Sequence, residues 1–114
     1  MEAYELVHLL DQQNQSGQDY LEFLRVPSLS AGLYMLAAGA VDMQEPHTED
    51  EIYYVISGRG FIQVEQESRP IEAGSLVFVK AHVEHRFHTI TEDLRVLVLF
   101  APAEYSAAQY PRQL

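Results

Sequence analysis

Four side chains in this sequence combine residue type and spacing suited to holding a metal ion: Glu45, His47, Glu51 and, further along, His85. Imidazole nitrogen and carboxylate oxygen are donors to divalent cations, and the chain has no cysteine to offer in their place. Alternate side chains of a strand face opposite sides of its sheet. Residues 45, 47, 51, 53 and 55 share parity, so if the 48–50 loop preserves phase, Glu45, His47, Glu51, Tyr53 and Val55 point inward. Ile52, Tyr54 and Ile56 then face outward. Inside a barrel that holds one ligand, buried carboxylates and imidazoles need partners, and a shared metal ion is the simplest one. His85 would complete the group from a later strand.

The elements that must position these residues are short strands. The first fifteen residues read as a short helix, with Leu6, Leu9 and Leu10 at helical spacing, leading into a turn at Asn14 to Gln18. From Tyr20 onward, short apolar runs alternate with Gly, Pro, Ser and acidic clusters, the texture of an all-β sandwich or barrel. The runs are 20–26, 32–38, 52–56, 61–64, 76–79 and 94–100, with turns expected at 67–70, 72–74 and 91–93. No internal repeat or linker interrupts the chain. The expectation is one domain over residues 1–114, with a barrel core at about 20–101 and a docking tail or loose terminus from Ala103.

The glycines around the candidate donors sharpen this reading. Gly39, Glu45, His47, Glu51 and Gly58 follow the spacing G-x5-H-x-H-x3-E-x6-G, with Glu45 where the first histidine is expected. Gly74 and His85 follow G-x5-P-x-G-x2-H-x3-N, with Lys80, His82 and Thr89 replacing the proline, glycine and asparagine. These paired motifs resemble those of the cupin superfamily over roughly residues 30 to 101. The resemblance implies a cupin-type double-stranded β-helix (jelly-roll) barrel, here with a short N-terminal helical segment. It also implies a mononuclear divalent metal held by His47, Glu51, His85 and, where its carboxylate replaces imidazole, Glu45.

The residue at 45 leaves three arrangements open. Glu45 ligates the metal, or it turns away because Pro46 constrains the backbone, or Gln44 swings in instead. With Glu45, the site holds two neutral histidines and two carboxylates. Without it, His47, Glu51 and His85 form the two-histidine, one-carboxylate face associated with non-haem iron(II). Oxygen-rich ligation favours Fe or Mn over Zn or Ni. His82 and His88 cannot converge with His85 on one strand and read as turn and surface residues, as does His8 in the helix. Tyr53, Val55, Phe87 and some of Tyr34, Leu36, Ile62 and Val64 are the expected apolar lining, with Tyr53 a pocket residue near Glu51.

Composition limits the partners. The net charge of −10, from 17 acidic against 7 basic residues, argues against nucleic acid or an anionic membrane surface. No apolar run approaches a membrane span and the acidic N-terminus lacks the features of a secretory signal, so a cytoplasmic location is expected. The functional expectation is a metal-dependent enzyme acting on a small organic metabolite, an oxygenase or an isomerase or lyase. The alternative is a non-catalytic, metal-dependent small-molecule binding or sensing module. The outward apolar residues Ile52, Tyr54 and Ile56, with the apolar 94–100 run, predict a homodimer.

Overall fold

The computed structural model describes residues 1–106. Its single helix among those residues, α1 (Leu6–Ser16), buries Leu9 and Gln13 and ends at Gly17, whose φ of 70° and N–H bond to the Gln13 carbonyl close the last turn. Gln13 fastens the helix to the sheet, its Nε2 donating to the carbonyls of Leu33 at 2.9 Å and Asp19 at 3.0 Å. No helix among the described residues is long and apolar enough to cross a membrane.

Six strands follow: β1 (Tyr20–Val26), β2 (Leu29–Leu36), β3 (Asp50–Val64), β4 (Glu67–Glu72), β5 (Leu76–Val79) and β6 (His85–Ala101). All pairings are antiparallel, in the order β1-β2-β6-β3-β4, with β5 also on β3. The sheet encloses a core of Leu36, Tyr53, Val55, Ile62, Ile71, Val79, Phe87, Ile90, Leu94, Val96, Val98 and Phe100. Phe87, Leu36, Val55 and Ile62, expected as pocket lining, therefore pack this core.

Several boundaries differ from the expected ones. The runs 52–56 and 61–64 belong to one strand, β3, and the expected turn at 91–93 lies inside β6. Bulges between Val55 and Phe61 interrupt the alternation, so odd-numbered Tyr53 and Val55 are buried before them and even-numbered Ile62 after them. Gly58 sits at the middle of this irregularity with φ 98°, and a Cβ there would lie 2.1 Å from the Asp93 carbonyl oxygen. Only glycine allows β3 and β6 to approach so closely at that point. The expected turn at 67–70 is instead the start of β4, an edge strand on which Pro70 costs no ladder hydrogen bond in the sheet interior.

The outer face carries two apolar rows that cross four strands. One runs Leu33, Leu97, Tyr54, Leu76 and the other Ala31, Leu99, Ile52, Phe78. Leu33 and Ala31 are buried, whereas at the opposite end Leu76 and Phe78 are 67% and 61% exposed.

Candidate metal centre

The loop from Gly39 to Glu49 delivers the first donor, and its conformation is set by Asp42. This buried carboxylate accepts from Tyr34 Oη, Gln44 N, Gln44 Nε2 and Phe87 N at 2.8–3.1 Å, binding the loop to both β2 and β6. Gln44 in turn accepts from Tyr53 Oη at 3.1 Å. Further along, His82 N donates to the His47 carbonyl at 2.7 Å and Ala81 N to Asp50 at 2.8 Å, so the two motif segments hold each other. His82 and Thr89 have φ of 67° and 49°. They stand where the resembling pattern has glycine and asparagine, the residues that enter this left-handed region most readily.

His47, Glu51 and His85 come together inside the barrel, each buried, with one donor atom apiece within 4.8 Å of the others. His85 Nε2 is 2.7 Å from Glu51 Oε1, and His47 Nδ1 is 3.5 Å from the same oxygen. Despite this proximity, His47 Nδ1, His85 Nε2 and both Glu51 oxygens are buried without an aligned hydrogen-bond partner. The other nitrogen of each ring explains why. His85 Nδ1 lies 2.9 Å from the Val83 carbonyl, which can only accept, so that nitrogen carries the proton. His47 Nε2 lies 3.0 Å from Glu104 Oε2, and an ionised carboxylate can only accept, so that nitrogen carries the proton. In their neutral forms both rings thus aim lone pairs at a carboxylate. Two bare lone pairs and a carboxylate are an unfavourable group unless a proton or a cation lies among them.

Ordinary metal chemistry fits this group. Metal-ligating histidines donate their second ring nitrogen to a carboxylate or backbone carbonyl, which are the partners found here. Without a cation the same crowding is met by protons. Burial penalises a charged His47 ring, but hydrogen bonds and charge from Glu104 and Glu51 outweigh it and push its pKa up to about 9. His85 is likewise opposed by burial yet raised by Glu51 and the Val83 carbonyl. Glu51 is raised by burial but ends below its ordinary value because both histidines favour its charged form.

Glu45 does not join this group. Its side chain is exposed at the rim, and the loop conformation sends Gln44 rather than Glu45 toward the interior, where it meets Tyr53 instead of the three donors. His82 is exposed; His88 stacks on Phe61 and lies 2.7 Å from Ser68 Oγ, away from the centre. His8 is exposed on α1. Tyr53, 1% exposed, sits beside the centre with its ring 6.0 Å from that of His85.

Beside the centre opens a cavity of about 450 Å³ lined by Tyr20, Tyr34, Gln44, Tyr53, Phe100 and Glu104 among others, and by His47. No Lys or Arg among the described residues lines it. Tyr20 Oη is buried there without a hydrogen-bond partner among the described residues. Burial above all raises the pKa of the Tyr20, Tyr34 and Tyr53 hydroxyls, so all three keep their protons near neutrality. Asp42, Glu49 and Glu104 were not apparent as site residues in the sequence. Asp42 and Glu49 lie within the first motif, where their burial was the missing signal; Glu104 is brought in from outside both motifs.

The same arrangement of strands recurs in other proteins. A computed match to the cupin domain (Cupin_2) spans residues 32–100, more than half of the chain. An uncharacterized protein of Streptomyces coelicolor is 48% identical over 104 residues, covering 91% of this chain and 99% of its own. The structure of KdgF from a Halomonas species superposes with a TM-score of 0.69 at 22% identity, over 90% of this chain and 94% of that one. A cupin with a double-stranded β-helix fold from Methanocaldococcus jannaschii gives 0.66 at 19% identity, over 73% and 78% of the two chains. At these identities the two structures speak for the fold, and the domain match speaks for descent: this chain belongs to the cupin family.

Proposed function

We propose that the protein binds a mononuclear divalent metal through His47, Glu51 and His85 and acts on a small organic metabolite held in the adjoining cavity. The observation that carries this reading is the convergence of His47 Nδ1, His85 Nε2 and the two Glu51 oxygens, all buried and none with an aligned hydrogen-bond partner among the described residues. Two imidazoles with one carboxylate suit Fe(II) or Mn(II). A bound ion of this kind supplies Lewis acidity or, as iron, an oxygen-binding centre, the chemistry of an isomerase or lyase and of an oxygenase respectively.

The residues of the chain provide the rest. Tyr20 Oη offers an unused donor to a ligand oxygen, Phe100 and the tyrosine rings offer apolar faces, and Gln44 is held by Asp42 and Tyr53 at the entrance. With no Lys or Arg among the described residues of the lining, a neutral or cationic metabolite bearing an oxygen fits these residues better than a polyanion. A second reading is a binding module without turnover, in which the same metal and cavity hold a ligand that leaves unchanged. Cupin folds do not choose between these roles by themselves.

Assembly belongs to the same proposal. The bare Leu76, Phe78, Ile52 and Tyr54 on the outer face form an apolar patch, and a second copy packed sheet to sheet would cover it.

The deciding experiment is metal analysis of protein purified without chelator or affinity-column metal, together with identification of any co-purifying small molecule. Stoichiometric Fe or Mn with substrate-dependent oxygen uptake or isomerisation is the expected result for an enzyme. Stoichiometric retention of a ligand that emerges unchanged identifies the binding module. Protein that carries no divalent metal after purification and takes up neither Fe(II) nor Mn(II) when they are added refutes the reading altogether.

A further inference from the structure

The C-terminal turn brings a carboxylate to the metal centre from outside both motifs. Residues 102–106 fold back over the barrel mouth and are held by four hydrogen bonds. Ala103 N donates to the Pro27 carbonyl at 3.3 Å and Glu104 N to Ser30 Oγ at 2.8 Å. Arg25 Nη2 donates to the Glu104 carbonyl at 2.6 Å, and Tyr105 N to Glu49 Oε1 at 2.6 Å. These partners lie in two separate places, the β1–β2 hairpin and the acidic loop before β3, so the turn is pinned from both sides. Pinned this way, it sets Glu104 Oε2 3.0 Å from His47 Nε2, with the Glu104 side chain only 15% exposed.

A neutral imidazole carries one N–H, and the nitrogen that keeps it is the one that cannot bind a metal. For His85 that choice is made locally, by the carbonyl of Val83 two residues away. Among the described residues His47 has no such backbone partner at Nε2, and the group that meets this nitrogen is Glu104. We propose that Glu104 is the positioning residue of the centre, holding His47 in the tautomer and ring orientation that present Nδ1 to Glu51 and His85. The inference rests on the metal reading above, and it carries a structural consequence: the centre is complete only when the C-terminal turn is docked on Ser30 and Glu49.

The test uses the full chain and Co(II), whose visible absorption reports its ligand set. Removing an outer partner of a metal-bound histidine weakens binding by about 10- to 100-fold. Glu104→Ala is therefore expected to lose Co(II) affinity by that factor while the spectrum of the bound ion stays that of the parent. Glu104→Gln, whose amide oxygen still accepts the N–H without the charge, falls between them and serves as the comparison should the alanine variant fold poorly. In metal-free protein, at a pH high enough to leave the ring neutral, nitrogen-15 NMR should find the His47 proton on Nε2 in the parent and redistributed in Glu104→Ala. Parental affinity in both variants, an altered cobalt spectrum that makes Glu104 itself a ligand, or a parent ring protonated at Nδ1 each overturns the assignment. A parent that binds no Co(II) overturns the metal reading and this inference with it, whereas equal affinities of parent and variants overturn the role of Glu104 alone.

Discussion

Each face of β3 carries a departure from the ordinary distribution of side chains. Glu51 on the inner face is 2% exposed, while Ile52 and Tyr54 on the outer face are 41% and 39% exposed. Burying a carboxylate is costly and leaving a connected apolar row in water forgoes burial, so a chain that does both on one strand has a use for each face. Inside, the buried acid is matched by two imidazoles and, as proposed, by a cation. Outside, the apolar row is matched by helix α1 at the Leu33 end and by nothing within the described residues at the Phe78 end.

The inner face gives the largest expected effect. Any ligand that binds only the folded chain stabilises it by mass action, about 2.7 kcal/mol at one hundred times its Kd. For a chain of this length that is roughly 10 °C in Tm. Glu51→Ala, His47→Ala and His85→Ala should each abolish this metal-dependent rise in a melting experiment with Mn(II). Full metal occupancy in His85→Ala would show that the inner face is buried polarity of some other kind.

The outer face gives the next. Phe78→Asp puts a charge at the exposed end of the outer apolar rows, where Phe78 is 61% exposed, and should weaken self-association by at least about 100-fold, the equivalent of roughly 2.7 kcal/mol at an interface anchor. Metal binding should be unchanged, because Phe78 and the three donors lie on opposite faces of the sheet. Sedimentation is the measurement. A parent mass near 13.0 kDa at micromolar concentration would leave the outer face without the partner assigned to it.

A smaller, graded effect follows from pH. In metal-free protein the folded-state pKa of His47 lies at about 9, above its ordinary value of 6.5. A raised histidine contributes stability that is fully present below the unfolded pKa and lost as pH rises through the folded one. Tm of the metal-free chain should therefore fall between about pH 6.5 and pH 9, with His85 acting in the same direction. Glu51 works from the other side: its depressed pKa contributes stability above 4.5 that disappears under stronger acid. Metal must displace the imidazole protons, so metal affinity should rise over the interval in which the metal-free protein weakens. Parallel curves with and without metal would detach the histidines from the ion.

What could be read from the sequence divides along the same line. The parity of Glu51, Tyr53 and Val55 against Ile52 and Tyr54 was legible because β3 is regular there, and His85 was legible through the spacing after Gly74. Beyond Val55 the alternation failed, because bulges around Gly58 shift the phase, and a glycine inside a strand marks an irregularity without telling how far the register moves. Pro70 made β4 look like a turn, since local chemistry does not disclose that a strand lies at an edge. Asp42 and Glu104 were invisible for a related reason. Their partners, Phe87 N and His47 Nε2, are set by tertiary approach across the barrel and not by sequence neighbours.

Glu45 offers the smallest expected effect and the finest cut. The motif spacing places a donor at this position, yet its side chain is exposed at the rim while Glu104 meets the centre from the C-terminal turn. Replacing its carboxylate with an amide should leave Mn(II) affinity within about twofold, since an exposed charge acting across water is worth little. Glu45→His is the more searching change, because it supplies the imidazole that the spacing expects. With Asp42 accepting four hydrogen bonds from Tyr34, Gln44 and Phe87, the loop is held in the conformation that turns position 45 outward, and this variant too should titrate like the parent. Titrations of all three proteins in one buffer at one pH, with Mn(II) and then Ni(II), compare them directly. Tighter binding and a shift toward Ni(II) in Glu45→His would mean that the loop swings residue 45 into the barrel. The boundary between buried donors and exposed rim would then move by one residue, and Glu104 would share its place beside His47.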